Sequence, residues 1–410
     1  MGRKIKEVEG GLCAPKGFKA GAVACGIKNP SAERLDLALI YSEFPTICDA
    51  VYTQNEVRAA PVRLSSSYIK SCEPRAIIVN SGNANACTGP DGIVKARAMA
   101  SMTSKGLGLL QREIQVCSTG IIGVPLPLER LEAKFPELIE NLDYDSDAAA
   151  QAIITSDTRP KSVSVSVKIN GAKVRIGAIA KGAGMINPHM ATMLCFVTTD
   201  AAVSKAELVA ATREAVDLSF NRILVDGDMS TNDTVIVMSN GQAGNKTVTR
   251  GGEGSYEFRE ALRWVMLSLA KKIVADGERV TKLVEVVVKG AATNLDAERV
   301  ARAVANSKLV KCSWNGNDPN WGRVIHAVGY SGARVKEEMV DIYFNGVLAA
   351  QNGIAANTDI DRLSEAVRES EFTVCINLNL GSGSFNVYTA DLSPEYVDFN
   401  RHEYALNVKR

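Results

Sequence analysis

One threonine stands where its hydroxyl could act. Between a strand ending near Ala180 and the apolar segment CFVTTD lies KGAGMINPHMATML. Its glycines and proline forbid a regular helix or ladder, so a tight connection delivers Thr192 directly to the start of a strand. A threonine so placed can be presented under backbone strain. A loop threonine that merely caps its own turn fits the same local pattern and is the commoner outcome. Other chemistries are thinly supplied. The three histidines, His189, His326 and His402, are isolated, which leaves little for a metal site or a Ser-His-Asp triad. The nine cysteines include no CxxC pair, so they predict buried, small apolar side chains in a reducing compartment rather than disulfides or zinc ligands. DGDMSTND imitates the start of a calcium loop through Asp226, Asp228, Ser230 and Asn232. Thr231 stands where that loop needs glycine and Val237 where it needs glutamate, so no calcium is expected. NGNDPNWGR has glycines without GK[ST], which predicts a structural role and no nucleotide site.

The elements that must position Thr192 mix helices with hairpins throughout, an α+β pattern. In SVSVSVKINGAKVRIGAIA, Val163, Val165, Val167 and Ile169 alternate with polar residues. Asn170-Gly171 supplies two positive-φ turn positions, and Val174 and Ile176 resume the alternation. Asn345-Gly346 joins VDIYF to VLAA, and GSG at 381–383 joins TVCINLNL to SFNVYTA, so the last third is rich in sheet. Ser204 and Glu207 form a capping box ahead of a helix whose Leu208, Ala211 and Ala215 share one face. Phe258, Leu262, Met266, Leu269 and Ile273 recur at helical spacing, and Gly277 offers a stop.

A chain of 410 residues suffices for two or three domains. Its formal net charge of +1 gives no footprint for nucleic acid or an anionic membrane and favours small-molecule partners. MGRKIKEVEGGL is charged without an apolar stretch, and no run approaches about 18 apolar residues, so a cytoplasmic protein is expected.

KGAGMINPHMATML resembles the cleavage-site signature of the ornithine acetyltransferase family, the glutamate N-acetyltransferases of arginine biosynthesis. APKGF, DLALI, NSGNANACTG, STGIIG, TSDTRPK, VDGDMSTNDT, GERVTK, VANSKLVK and DPNWGR follow in the family's order over nearly the whole chain. The resemblance implies autocatalytic scission between Ala191 and Thr192, giving chains 1–191 and 192–410. Threonine suits this, because its hydroxyl can attack the preceding carbonyl in an N-to-O acyl shift, and hydrolysis of the ester frees an α-amine on the same residue. That amine, with an ordinary pKa of about 7.7–8.0, can then act as internal general base. No histidine is required.

The implied cycle moves an acetyl group from N-acetylornithine to Thr192 and then to glutamate, with no cofactor and with acetyl-CoA as a possible second donor. By the same resemblance Thr119 and Gly120 form the oxyanion pair, Lys181 meets a substrate carboxylate, and Thr155 contacts substrate, although Ser156 and Thr158 stand close enough to exchange with it. Glu278 suits an ornithine ammonium, and Asn400 helps to bind substrate. Two departures bear on substrate choice. GERVTK replaces the usual GEGATK, which puts Arg279 and Val280 beside Glu278, and RHEYALNVKR after Asn400 lacks the family's terminal Thr or Ser.

The implied fold is an α/β/β/α sandwich of two mixed sheets with a smaller C-terminal α/β domain. It divides the chain into 1–191, a part of the sandwich core at 192–283, and 284–410. Two copies of each cleavage product are expected to associate as a heterotetramer. The rivals are an N-terminal-nucleophile aminopeptidase or amidase, which hands the acyl group to water, and a binding protein that stays uncut.

Overall fold

The computed structural model describes residues 5–31, 33–187 and 193–401. Asn170 and Gly171 both take positive φ, 48° and 84°, and close the hairpin Lys161–Ile169/Ala172–Lys181 in the register Ile169 to Ala172. That two-residue turn matches the right-handed twist of the strands it joins. The hairpin lies in a six-stranded sheet of order Lys6–Glu7, Lys161–Ile169, Ala172–Lys181, Leu194–Thr199, Thr234–Ser239, Ile47–Tyr52. Leu194–Thr199 and Thr234–Ser239 run parallel, and the other neighbours are antiparallel. A four-stranded sheet holds Phe18–Val23, Leu37–Ser42, Ala76–Asn80 and Ile114–Ser118.

The two sheets face each other across one core. Phe18, Ala20, Ile40, Ile77 and Val79 of the smaller sheet pack with Ile179, Leu194, Phe196, Ile236 and Met238 of the larger. The outer face of the smaller sheet buries Leu39, Ile78 and Val116 against Met99 and Leu131 of the helices Gly89–Leu107 and Leu128–Glu140. On the larger sheet, Val165, Val174, Cys195, Val197 and Val235 are buried on the opposite face. There the helix Lys205–Asp217 lies against Ile47–Tyr52, and Lys272 of the helix Ser255–Ala275 donates to the Ser162 carbonyl. The layers are therefore helix, sheet, sheet, helix. Leu194–Thr199 is buried on both faces, which is why it opens with the continuous apolar run 194–197. Each enclosed Leu or Phe there contributes roughly 1.5–3 kcal/mol relative to an exposed one.

Two compact units result. Among the described residues the first covers 5–185, 193–221 and 228–273, and the second covers 186–187, 222–227 and 274–401. The second unit has a seven-stranded sheet of order Ile223–Leu224, Gly383–Ala390, Leu283–Ala291, Glu371–Asn377, Asp341–Phe344, Val347–Gln351, Ile354–Ala355. Its core joins Val284, Val286 and Ile376 to Val300, Trp314 and Val324 of the helices Asn294–Asn306, Lys308–Asn315 and Trp321–Gly329. Asn345-Gly346 forms the expected hairpin turn, with φ of 46° and 80°. The connection at 381–383 does not, because Leu283–Ala291 lies between the strands it links, parallel to one and antiparallel to the other. Its glycines serve a close crossing. A Cβ on Gly381 would stand 2.7 Å from the Ala291 carbonyl oxygen, and one on Gly383 would stand 2.4 Å from the Thr293 carbonyl.

Other expectations are met in part. Ser204 accepts the Glu207 N–H at 3.3 Å, but the Glu207 carboxylate turns away from the box to take Ser255 and a two-point contact from Arg259. Phe258, Leu262, Met266, Leu269 and Ile273 are all fully buried. All nine cysteines are free thiols; Cys13, Cys48, Cys117 and Cys195 are buried as expected, whereas Cys87 and Cys312 are exposed. In NGNDPNWGR, Asn320 caps the helix Trp321–Gly329 by accepting the Arg323 N–H at 3.0 Å. No helix among the described residues is long and apolar enough to cross a membrane.

Candidate active site

Ala191 and Thr192 lie outside the described residues, but the chain on either side is tightly held. Lys181, the last residue of Ala172–Lys181, pairs with Leu194, the first of Leu194–Thr199. This register brings Lys181 opposite the strand that Thr192 leads into. Met193 is gripped at both its backbone groups. Its N–H donates to Asp233 Oδ1 at 2.9 Å and its carbonyl accepts the Thr234 N–H at 3.1 Å. Asp233 is fully enclosed, and burial pushes its carboxyl well above the usual range against the opposing pull of the Met193 N–H and Lys181.

Lys181 is 2% exposed, and its ammonium stands 3.9 Å from Asp157 Oδ2. The same oxygen accepts the Thr155 N–H at 3.0 Å. Oδ1 takes the Lys161 ammonium at 2.6 Å and the Gly182 N–H at 2.8 Å. Burial raises Asp157, but the Lys181 and Lys161 charges and the Gly182 N–H outweigh it and hold the carboxyl at about 2. Thr155 and Lys181 are thus brought together around one aspartate.

Thr119 and Gly120 follow the strand Ile114–Ser118. The Thr119 N–H donates to the Asn80 carbonyl at 2.9 Å, and Gly120 is exposed with φ of 135°. A Cβ there would lie 2.3 Å from the Gly82 carbonyl carbon, so only glycine fits. Asparagines lock this loop to NSGNANACTG. The Ser118 hydroxyl donates to Asn80 Oδ1 at 2.6 Å, Asn83 donates to the Val124 carbonyl at 3.1 Å, and Asn232 donates to Ala84 and Ser118 at 2.7 and 2.8 Å. A buried amide whose donors are all spent on backbone carbonyls fixes a loop without reacting.

In the second unit, Asn400 ends the helix Pro394–Asn400 and donates to Glu278 Oε2 at 2.9 Å, so two further expected residues meet. Arg279, for which the resemblance implies a glycine, takes φ of 58°, a left-handed conformation natural to glycine and costly to arginine. Its guanidinium lies 4.7 Å from the Phe399 ring centroid and its carbonyl accepts the Ser393 hydroxyl at 2.7 Å. The bulk expected beside Glu278 is therefore drawn onto the terminal helix. The segment leading toward Ala191 is also anchored in this unit. Ile186 N–H donates to Asp226 Oδ1 at 2.8 Å, and Asn187 donates to the Gly227 carbonyl at 2.6 Å.

DGDMSTND, dismissed as a calcium loop, thus supplies Asp226 to one side of the expected scission bond and Asp233 to the other. Asp157, Asp233, Asn80 and Asn232 hold the expected residues or their loops in place, yet no motif in the sequence singles them out for this. The available signal was polar residues set in otherwise apolar or Gly-rich strings, such as IIVNSGNANA. His326 makes an edge contact with Tyr330, the residue just past its own helix, with ring centroids 5.3 Å apart, while His189 and His402 lie outside the described residues.

Comparison with known proteins agrees with the motif order. The ArgJ family model matches residues 19–405. The arginine biosynthesis bifunctional protein ArgJ of Geobacter sulfurreducens is 51% identical over 94% of this chain and 98% of its own length. The protein of the same name from Dehalococcoides mccartyi is 45% identical over 96% of each. A crystal structure of ornithine acetyltransferase complexed with ornithine, from Mycobacterium tuberculosis, is 37% identical, with a TM-score of 0.41 over 45% of this chain and 98% of that one. With half the residues shared along nearly the full length of a curated relative, and with STGIIG, TSDTRPK and KGAGMINPHMATML in the family's order, the chain belongs to the ArgJ family.

Proposed function

We propose that this enzyme transfers an acetyl group from N2-acetylornithine to glutamate through an ester on Thr192, after cutting itself between Ala191 and Thr192. In the cut, Thr192 Oγ attacks the Ala191 carbonyl carbon, the C–N bond to Thr192 breaks, and water hydrolyses the resulting ester. Ala191 gains a carboxylate and Thr192 an α-amine. In transfer, Oγ attacks the acetyl carbonyl while the α-amine takes its proton and passes it to the departing ornithine amine. The glutamate amine then attacks the ester, and the proton it sheds returns to Thr192 Oγ.

Thr119 and Gly120 stabilise the oxyanion at each tetrahedral stage, Lys181 and Thr155 hold the substrate carboxylate end, and Glu278 with Asn400 takes the ornithine side-chain ammonium. The word bifunctional in the relatives' names supports a second reaction at the same threonine, with acetyl-CoA as donor and its thiolate as leaving group. Two copies of each product form the working assembly in the cytoplasm.

The carrying observation is the register that sets the buried Lys181 opposite Leu194, two residues after the nucleophile, in a chain of this family. Intact-mass analysis of the purified protein tests it. Two fragments meeting at 191/192 are expected, and brief exposure to N-acetylornithine adds one acetyl mass to the fragment beginning at Thr192. Thr192→Ala stays uncut and inert. Acetyl release to buffer as fast as to glutamate would instead mark an amidase.

A further inference from the structure

Four groups from two stretches of the first unit, 155–161 and 181–182, converge on one carboxylate. Thr155 N–H and the Lys181 ammonium meet Asp157 Oδ2, while the Lys161 ammonium and Gly182 N–H meet Oδ1. The Asp157 side chain is fully enclosed, and the side chains of the two lysines are no more than 3% exposed. We infer that Asp157 is a positioning residue of the acetyl-transfer site, a single buried carboxylate that fixes the Thr155 backbone and keeps the Lys181 ammonium charged and aimed at the substrate carboxylate. This inference rests on the proposed role of Lys181.

A lysine buried so deeply tends to shed its proton, because burial penalises the ammonium. Among the described residues, the charged groups that face Lys181 include Asp157 and Asp233, with Lys161 across Asp157. Burial drives Asp233 toward its neutral form, whereas Asp157 stays ionised down to about pH 2. Asp157, 3.9 Å from the Lys181 ammonium, is thus an ionised carboxylate placed to favour the charged form of that lysine. Only a carboxylate can serve all four donors, since the NH₂ of an asparagine at this position would confront either an N–H or an ammonium.

The test compares the self-processed wild-type protein with Asp157→Asn in acetyl exchange from N-acetylornithine to glutamate across pH 6 to 10. Rates are counted per Thr192 fragment that accepts acetyl, so a misfolded fraction does not enter. KM for donor and acceptor is expected to rise about tenfold or more, with kcat changed by less than about threefold. The alkaline limb of kcat/KM is expected to move down by about one pH unit or more, because losing the carboxylate lowers the Lys181 pKa. N-acetylputrescine, a donor without the α-carboxylate, should show no such change.

An unshifted limb with unchanged KM overturns the inference, and so does an equal loss with N-acetylputrescine. Should Asp157→Asn not fold, Lys161→Met supplies the reading. It removes the Lys161 ammonium that competes for Asp157, so the alkaline limb should rise, and a limb that stays in place or falls overturns the inference. A wild-type protein that moves no acetyl group sinks the proposed function itself, whereas an active wild type beside an unaltered variant sinks only the role given to Asp157.

Discussion

The surroundings of Lys181 and of Glu278 are built differently. Lys181 terminates a strand locked into a six-stranded sheet, is 2% exposed, and shares an enclosed aspartate with a second buried lysine. Glu278 is half-buried, takes one hydrogen bond from a helix end, and adjoins an exposed arginine held in left-handed backbone. On the proposed function the two regions also meet different parts of the substrates. N-acetylornithine and glutamate share an α-carboxylate and differ in their side chains. A constant feature can be met by a rigid, buried charge cluster, whereas the varying end is met by a partly exposed group on irregular chain.

The largest expected difference is in stability. Asp157→Ala leaves two ammoniums buried without their shared carboxylate and should cost about 3–5 kcal/mol in denaturant unfolding, against at most about 0.5 kcal/mol for Glu278→Ala. Similar losses would break the contrast. Acid unfolding gives the next largest effect. The Asp157 carboxyl titrates at about 2 in the folded state, below an unfolded value of about 3.9. Its contribution is therefore present above the unfolded value and lost as the pH falls toward 2, about 2–3 kcal/mol in all. Unfolding midpoints followed from pH 5 to 2 should show this slope in wild type and in Glu278→Gln alike.

Kinetics separate the regions by substrate. Lys181→Met should raise KM for both N-acetylornithine and glutamate about tenfold or more, whereas Glu278→Gln should raise it for N-acetylornithine alone, glutamate staying within about twofold. Equal effects would mean that both regions read the same group. The smallest change is expected at Arg279→Gly. Relief of left-handed strain, about 1–2 kcal/mol, is offset by the flexibility of glycine and the lost contact with Phe399, so the melting free energy should move by less than about 1 kcal/mol.

Local periodicity made much of the framework legible. Alternating valines around Asn170-Gly171 specified a hairpin and its register, because both are decided by neighbouring residues. The connection at 381–383 was not legible as a crossing, since nothing in GSG tells that Leu283–Ala291 will be inserted between the strands it links. Residue identity and motif order pointed to Thr119, Gly120, Lys181 and Glu278. Asp157 and Asp233 stayed hidden because their distinction is burial, a property conferred by strands remote in sequence. An aspartate in TSDTRPK looks like an ordinary turn residue until Lys161 and Lys181 are folded onto it.

The strand order of the larger sheet carries one more consequence. Reading across it, three strands precede position 191, two follow it, and the last, Ile47–Tyr52, precedes it again. On the proposed function, scission at that point leaves an insert seamed to its host along both edges, and freeing it means unzipping two ladders at once. The uncut polypeptide refolds as one molecule at a rate indifferent to dilution. A nicked one, once denatured, must find its counterpart in solution, so the proposed self-processing would turn a first-order refolding problem into a second-order one.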